Sequence, residues 1–86
     1  MHELSIALSL VDTICEELPK IGDVSVRCVR VRIGALSGIV PEALSFAFDV
    51  ACGDSPIAGA HLAIEGAAGR ELELIALEVL DAPADR

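Results

Sequence analysis

The sequence predicts an α+β fold, a two-layer sandwich in which two helices pack on a mixed three-stranded sheet. A chain of 86 residues has room for one hydrophobic core and therefore for one small domain, residues 1–86. Hydrophobic residues make up 53% of the chain, which excludes an intrinsically disordered protein. The apolar pattern alternates between helical and extended periods in the order helix, strand, helix, strand, strand.

The first element is an amphipathic helix near the start of the chain. Apolar side chains recur there at spacings of three and four residues, namely Leu4, Ala7, Leu8, Val11, Ile14, Cys15 and Leu18. Pro19 and Gly22 are residues that interrupt helices, so we expect them to end it.

The next segment, residues 24–33, is rich in β-branched residues and predicts a strand. Its apolar residues change face partway, from Val24, Val26 and Cys28 to Val29, Val31 and Ile33. Either a β-bulge lies between the two sets, or both faces of the strand are covered in different halves. Gly34 and Gly38 bracket the loop that follows.

A second helix is predicted over residues 42–52. Pro41 suits the first helical position, where its missing N–H is not needed. Leu44, Ala47, Phe48 and Ala51 share one face, and Gly53 is placed to cap the C-terminus.

Two short strands complete the domain, over residues 60–65 and 70–79. The four residues between them, 66–69, read as the loop of an antiparallel hairpin. The strand–helix–strand segment 24–65 predicts a parallel crossover. Residues 81–86 are expected to form a frayed tail.

Three of the six basic residues lie in the first strand, at Arg27, Arg30 and Arg32. Glu71 and Glu73 in the last strand repeat the two-residue spacing. The arginines form either a docking patch for an anion or partner, or cross-strand ion pairs on a solvated sheet face. Ion pairs are favoured, because such weak surface pairs are common.

Composition excludes several classes of function and location. A net charge of −8 argues against nucleic acid or an anionic membrane as the main partner. No stretch is long and apolar enough to span a membrane, and no signal peptide is evident. The three cysteines form no Cys-x-x-Cys pair, which excludes a Cys₄ zinc site, and free thiols suit the cytoplasm. Without a nucleophile–base set or a phosphate-binding loop, we expect no enzyme.

The beginning of the chain could hold a metal ion. The α-amine of Met1, the backbone nitrogen and imidazole of His2, and the amide of Glu3 can chelate one ion in adjoining rings. Nitrogen-rich, tetragonal sets of this kind suit Ni(II) or Cu(II). The alternative is an idle histidine at a frayed end. His61 has no accompanying ligand pattern and is expected to be an ordinary sheet residue.

Two segments carry a resemblance to a known family. Residues 1–7, Met-His-Glu-Leu-Ser-Ile-Ala, open the first helix, and residues 29–48 run from Val-Arg-Val-Arg-Ile-Gly-Ala-Leu-Ser-Gly into the second helix. They resemble the HypA/HybF family of nickel metallochaperones that mature [NiFe]-hydrogenase. The resemblance extends over almost the whole chain, since residues 61–65 occupy the place of the family's next strand and residues 69–79 resemble its closing strand.

The resemblance implies a non-enzymatic protein that binds Ni(II) through His2, with nitrogens of the N-terminal motif and support from Glu3. It implies a HypB-type GTPase and the hydrogenase large subunit as partners, with urease as a further target in some members. Partner docking without metal is the alternative function, and the chain could be a monomer or a homodimer.

The sequence departs from the family in one respect. Members carry a zinc domain with two Cys-x-x-Cys pairs between the second and third strands, and here residues 66–69 stand in its place. We therefore expect no zinc in this chain. Whether the module is naturally absent or was excised stays open.

Overall fold

The computed structural model describes residues 2–81. Its elements are α1 (Glu3–Ile21), β1 (Val24–Gly34), α2 (Pro41–Cys52), β2 (His61–Ala67) and β3 (Leu72–Asp81). The predicted fold class and element order are confirmed. Of the predicted tail, Asp81 belongs to β3 and residues 82–86 lie outside the described residues. Between residues 2 and 81, the structure contains no helix with the length and hydropathy that a membrane span requires.

The last residue of helix α1 is Ile21, and the residue that caps its end is Gly22 and not Pro19. The helix continues through Pro19 to Ile21, so the prediction that Pro19 helps to end it is wrong. A proline so close to the end removes one N–H from the last turn without preventing the turn itself. Gly22 has φ of 118°, a conformation that favours glycine, and its N–H donates to the Leu18 carbonyl across 3.1 Å.

A β-bulge in β1 explains the change of face in the sequence pattern. The register with β3 shifts between Val26 and Cys28, which leaves Arg27 without an opposite residue. Val29, Val31 and Ile33 then enter the core, and Val29 and Val31 have no exposed surface. Of the two alternatives that the pattern allowed, the bulge is the one observed.

Helix α2 starts and ends as predicted. Pro41 occupies its first position, and the N–H of Gly53 donates to the Asp49 carbonyl across 3.4 Å. No side chain of the N-cap residue, Val40, caps the helix. The largest fully buried residues, to which both helices contribute, are Phe48, Ile14, Leu44, Ile57, Val29 and Val31.

The sheet has the strand order β2-β1-β3. Strand β1 pairs parallel with β2, as the crossover predicts, and antiparallel with β3. The predicted hairpin between the last two strands is therefore wrong, because β2 and β3 lie on opposite sides of β1. Two strand spacings separate them, about 10 Å, and four extended residues reach about 13 Å, so the short connection can cross the end of β1.

Backbone hydrogen bonds tie this crossing segment to the end of β1. The N–H groups of Gly34, Ala35 and Leu36 donate to the carbonyls of Glu71, Ala67 and Gly69, at 2.8, 2.8 and 2.7 Å. A Cβ on Gly34 would collide with the Gly69 carbonyl and the Glu71 carboxylate, so only glycine fits at position 34. The connection between β2 and β3 is thus held against the end of β1 by three backbone hydrogen bonds.

The sheet face away from the helices carries ion pairs. Arg32 contacts Glu65 on β2 at 3.0 Å and Glu73 on β3 at 3.2 Å, while Arg30 contacts Glu78 at 3.0 Å. The ion-pair interpretation is confirmed for both arginines. Glu71 does not take part as expected, because its carboxylate accepts a hydrogen bond from the Gly69 N–H at 2.8 Å.

Candidate metal centre

The metal-binding motif predicted from the sequence lies at the first turn of α1. His2 is the N-cap residue, with extended backbone angles of φ −90° and ψ 137°, and its side chain makes no capping hydrogen bond. Its imidazole is exposed. The side chain is therefore accessible to an ion from solvent and is not committed to holding the helix.

The amide nitrogens beside His2 lie outside the helical hydrogen-bond ladder. That ladder starts with the Ile6 N–H, which donates to the His2 carbonyl across 3.2 Å. The amides of the first turn have no acceptor within the helix. A metal ion that displaced the amide proton of Glu3 would therefore break no helical hydrogen bond, and it would break only the one that this N–H makes with the carboxylate of its own residue.

Glu3 joins this motif to the start of α2. Its Oε2 accepts a hydrogen bond from the Val40 N–H across 3.3 Å. The pKa of the Glu3 carboxyl is lowered, first by the N–H of its own residue and then by that of Val40, since both stabilise the carboxylate. The charged side chain remains at the surface and anchors the loop before α2.

Side chains alone do not make a complete metal site here. Met1, the third predicted site residue, lies outside the described residues. Among residues 2–81, no group of three or more His, Cys, Asp or Glu side chains is arranged to hold an ion. A site at this end of α1 must therefore use backbone nitrogens together with the His2 imidazole.

The other candidate residues have ordinary structural roles. His61 is the exposed first residue of β2, opposite Cys28 in the register with β1. Cys28 and Cys52 are buried and Cys15 is half-buried. Burial raises the pKa of the Cys15 and Cys52 thiols, with further contributions from Asp12 and Asp49, respectively. Raised values oppose the thiolate that a metal ligand or nucleophile needs.

One feature of the site could not be found in the sequence. Glu3 and Val40 are 37 residues apart, and no spacing rule connects a helical carboxylate with a loop amide at that distance. Only the packing of α1 beside α2 brings the two residues together.

Comparison with known proteins identifies the family. Residues 1–78 match the family model described as "Hydrogenase/urease nickel incorporation, metallochaperone, hypA". The chain belongs to the HypA family. That description is of a metallochaperone and not of an enzyme, in agreement with the expectation from the sequence.

Relatives named hydrogenase maturation factor HypA share substantial identity with the chain. The protein of Solidesulfovibrio magneticus is 54% identical over 65 residues, which cover 76% of this chain and 56% of the relative. That of Streptomyces avermitilis is 44% identical over 71 residues, covering 81% and 54%. That of Thermomicrobium roseum is 38% identical over 89 aligned positions, covering 94% and 68%. The chain spans a little more than half the length of the first two relatives.

Proposed function

We propose that this HypA-family chain binds Ni(II) at Met1, His2 and Glu3 and delivers it for [NiFe]-hydrogenase maturation, with urease as a second possible target. The supporting observation is the exposed imidazole of His2 beside amides that have no helical partner. With Met1 as the first residue, its α-amine completes a nitrogen-rich chelate of the type that Ni(II) accepts. Nickel is the cargo of this function.

Exposure of the motif supports transfer of the metal. His2 lies on the surface at one end of α1, so an acceptor protein can approach the ion directly and replace the nitrogens one at a time. A buried site would require the helix to open first. We propose a HypB-type GTPase and the hydrogenase large subunit as partners, and the cytoplasm, where thiols stay reduced, as the compartment.

A calorimetric titration of the chain with Ni(II) tests the site. We expect one ion per chain, and His2→Ala should weaken binding by more than about a hundredfold, because loss of a ligand costs more than loss of an outer contact. His61→Ala is the matched control, since His61 is also exposed but lies on β2. Equal affinity in His2→Ala and the unaltered chain would refute the assignment.

We also propose that the chain holds no zinc. The raised pKa values of Cys15 and Cys52 support this, because zinc requires thiolates. Elemental analysis of the protein purified from zinc-supplemented cells should find far less than one zinc per chain. Stoichiometric zinc that is retained after dialysis would contradict the proposal.

An alternative function is docking of the GTPase without metal. Phe46 and Val50 support it, because they lie four residues apart on α2 and are 71% and 56% exposed. Under this alternative, Phe46→Ser would abolish GTPase binding, measured by calorimetry without nickel, and His2→Ala would not. GTPase binding that requires both nickel and His2 would reject it.

A further inference from the structure

Helices α1 and α2 run parallel to each other and pack side by side. A short turn, residues 22–23, reverses the chain from α1 into β1. Helix α2 also runs against β1, because it carries the chain back so that β2 can pair parallel with β1. Since both helices are antiparallel to the same strand, their N-termini lie at one end of the domain and their C-termini at the other.

The two helices pack with a constant separation of 37 residues along the chain. At their N-terminal ends, the Glu3 carboxylate contacts the Val40 N–H, 37 residues further on. Both helices rise by about 1.5 Å per residue, so pairs with this separation stay at matching heights. Two layers of buried residues follow with the same separation, Ala7 with Leu44 and Val11 with Phe48.

Cys15 and Cys52 form a further layer with this separation. Each lies twelve residues, or about 18 Å, beyond the Glu3–Val40 contact along its own helix. Cys52 belongs to the hydrophobic core, and Cys15 packs against that core. The pKa of the Cys52 thiol is raised first by burial, then by Asp49 and then by the charge of Cys15. The two thiols therefore lie close together between the helices.

A disulfide fits between facing positions of two packed helices. Helix axes pack about 8–10 Å apart and Cα atoms lie about 2.3 Å from each axis, which leaves about 5 Å between facing Cα atoms. A disulfide joins Cα atoms that are about 4.4–6.8 Å apart. The layer of Cys15 and Cys52 thus suits a covalent bond between α1 and α2.

The third cysteine, Cys28, lies on the opposite face of the sheet. Side chains alternate between the two faces along a strand, and Val29 belongs to the core beneath the helices. Cys28 therefore shares the other face with Arg30, whose guanidinium pairs with Glu78. The sheet itself separates Cys28 from the two helical cysteines, which makes Cys28 an internal control.

We propose that Cys15 and Cys52 are a site of reversible disulfide formation that clamps α1 to α2. The oxidant is a small disulfide of the class of oxidised glutathione. The half-buried Cys15 thiol loses its proton and attacks one sulfur of the oxidant, which expels one thiolate and leaves a mixed disulfide. Cys52 then loses its proton and attacks the Cys15 sulfur, which expels the second thiolate. The two protein thiols are oxidised, the small disulfide is reduced to two thiols, and the two protons end on those thiols.

The surroundings of the pair set the pace of this reaction. Burial raises the pKa of both thiols, so little thiolate is present and the exchange is slow. The pair therefore responds to sustained exposure to an oxidant. The clamp lies at the end of the helices remote from His2, so it leaves that side chain accessible.

Oxidation of the unaltered chain with excess oxidised glutathione tests the proposal. After the remaining thiols are blocked with iodoacetamide in urea, non-reducing peptide mass spectrometry should find Cys15 joined to Cys52 within one chain in most molecules, with Cys28 alkylated. Dithiothreitol should reverse the bond. Cys28→Ser is the matched control and should form the same disulfide, whereas Cys15→Ser should form none.

Thermal unfolding of the unaltered chain gives a second test that needs no variant. The oxidised chain should melt at a higher temperature than the reduced chain, because a bond between residues 37 apart restricts the unfolded chain. A disulfide that includes Cys28 would overturn the proposal. Treated chains in which Cys15 and Cys52 remain thiols or carry only glutathione, or an oxidised chain that melts below the reduced one, would overturn it as well.

Discussion

The carboxylate of Glu3 accepts a hydrogen bond from the backbone N–H of Val40, with 3.3 Å between Oε2 and the nitrogen. Val40 is the N-cap residue of α2 and has no side-chain cap of its own. A residue of the predicted metal-binding motif thus fixes the loop before α2, which links the beginning of α1 to the second helix. A negative charge close to the N-terminus of α2 also suits the helix dipole.

The first prediction concerns the titration of Glu3. Hydrogen bonds from two N–H groups favour its carboxylate, so its pKa in the folded chain is below the ordinary 4.5. The stability that these bonds provide is then present above pH 4.5 and is lost as the pH falls through the lower, folded pKa. Carbon-detected NMR of the side chain measures this pKa directly, and a value at or above 4.5 would be inconsistent with the hydrogen bond to Val40.

The second prediction concerns Arg32, which contacts acidic residues on both neighbouring strands. All partners are exposed, so Arg32→Ala should lower the free energy of unfolding only slightly, and Arg30→Ala, which loses one ion pair, should lower it by less. Urea denaturation at low ionic strength measures both, and the difference between them should shrink in about 1 M salt. A large loss of stability in Arg32→Ala that persists in high salt would show that the pairs are not solvent-screened.

The third prediction concerns the tight approach at Gly34. Gly34→Ala should lower the free energy of unfolding by about 1–3 kcal/mol, because the new methyl group would collide with the Gly69 carbonyl and the Glu71 carboxylate. Gly66→Ala is the control, since a Cβ at Gly66 has no heavy atom within 4 Å. Thermal unfolding compares them, and equal melting temperatures would contradict the crossing connection.

The fourth prediction concerns cysteine reactivity. Burial raises the pKa of the Cys52 thiol, and the nearby Asp49 raises it further. Alkylation by iodoacetamide at neutral pH should therefore be much slower at Cys52 in the folded chain than in urea, because the thiolate is the reactive form. Peptide mass spectrometry quantifies each cysteine, and rapid labelling of Cys52 in the folded chain would refute its structural role.

Local patterns in the sequence were sufficient to predict the elements of this fold. The three- and four-residue spacing of Leu4, Ala7 and Val11 predicted α1, and Pro41 and Gly53 predicted the limits of α2. The mixed phase of β1 allowed either a bulge or two covered faces, and the structure has a bulge at Arg27. These signals are local, since each depends on residues within one element.

The sheet order depends on contacts distant in sequence and was not predictable in the same way. The Gly-Ala-Ala-Gly segment, residues 66–69, has the composition of a hairpin loop, yet its first two residues belong to β2 and the connection, residues 68–71, crosses the end of β1. Strand β1 is the central strand, and its Val29 and Val31 are completely buried. Nothing in residues 66–71 themselves indicates that β1 lies between β2 and β3.

The residues of the candidate site stay a prediction. Residue type and position allow a chelate of His2 with backbone nitrogens, and the resemblance to the HypA/HybF family makes that interpretation the favoured one over an idle histidine. The hydrogen bond from Val40 to Glu3 required the structure.

Nickel binding by a chain extended at its beginning tests the central claim most directly. Two residues, Gly-Ser, placed before Met1 would turn its α-amine into an amide and leave His2, Glu3 and the fold unaltered. Side-by-side titration with Ni(II) at pH 7.5 should show affinity at least about tenfold lower for the extended chain, since a ligand nitrogen has been lost. Equal affinities of the two chains would contradict the N-terminal nickel site.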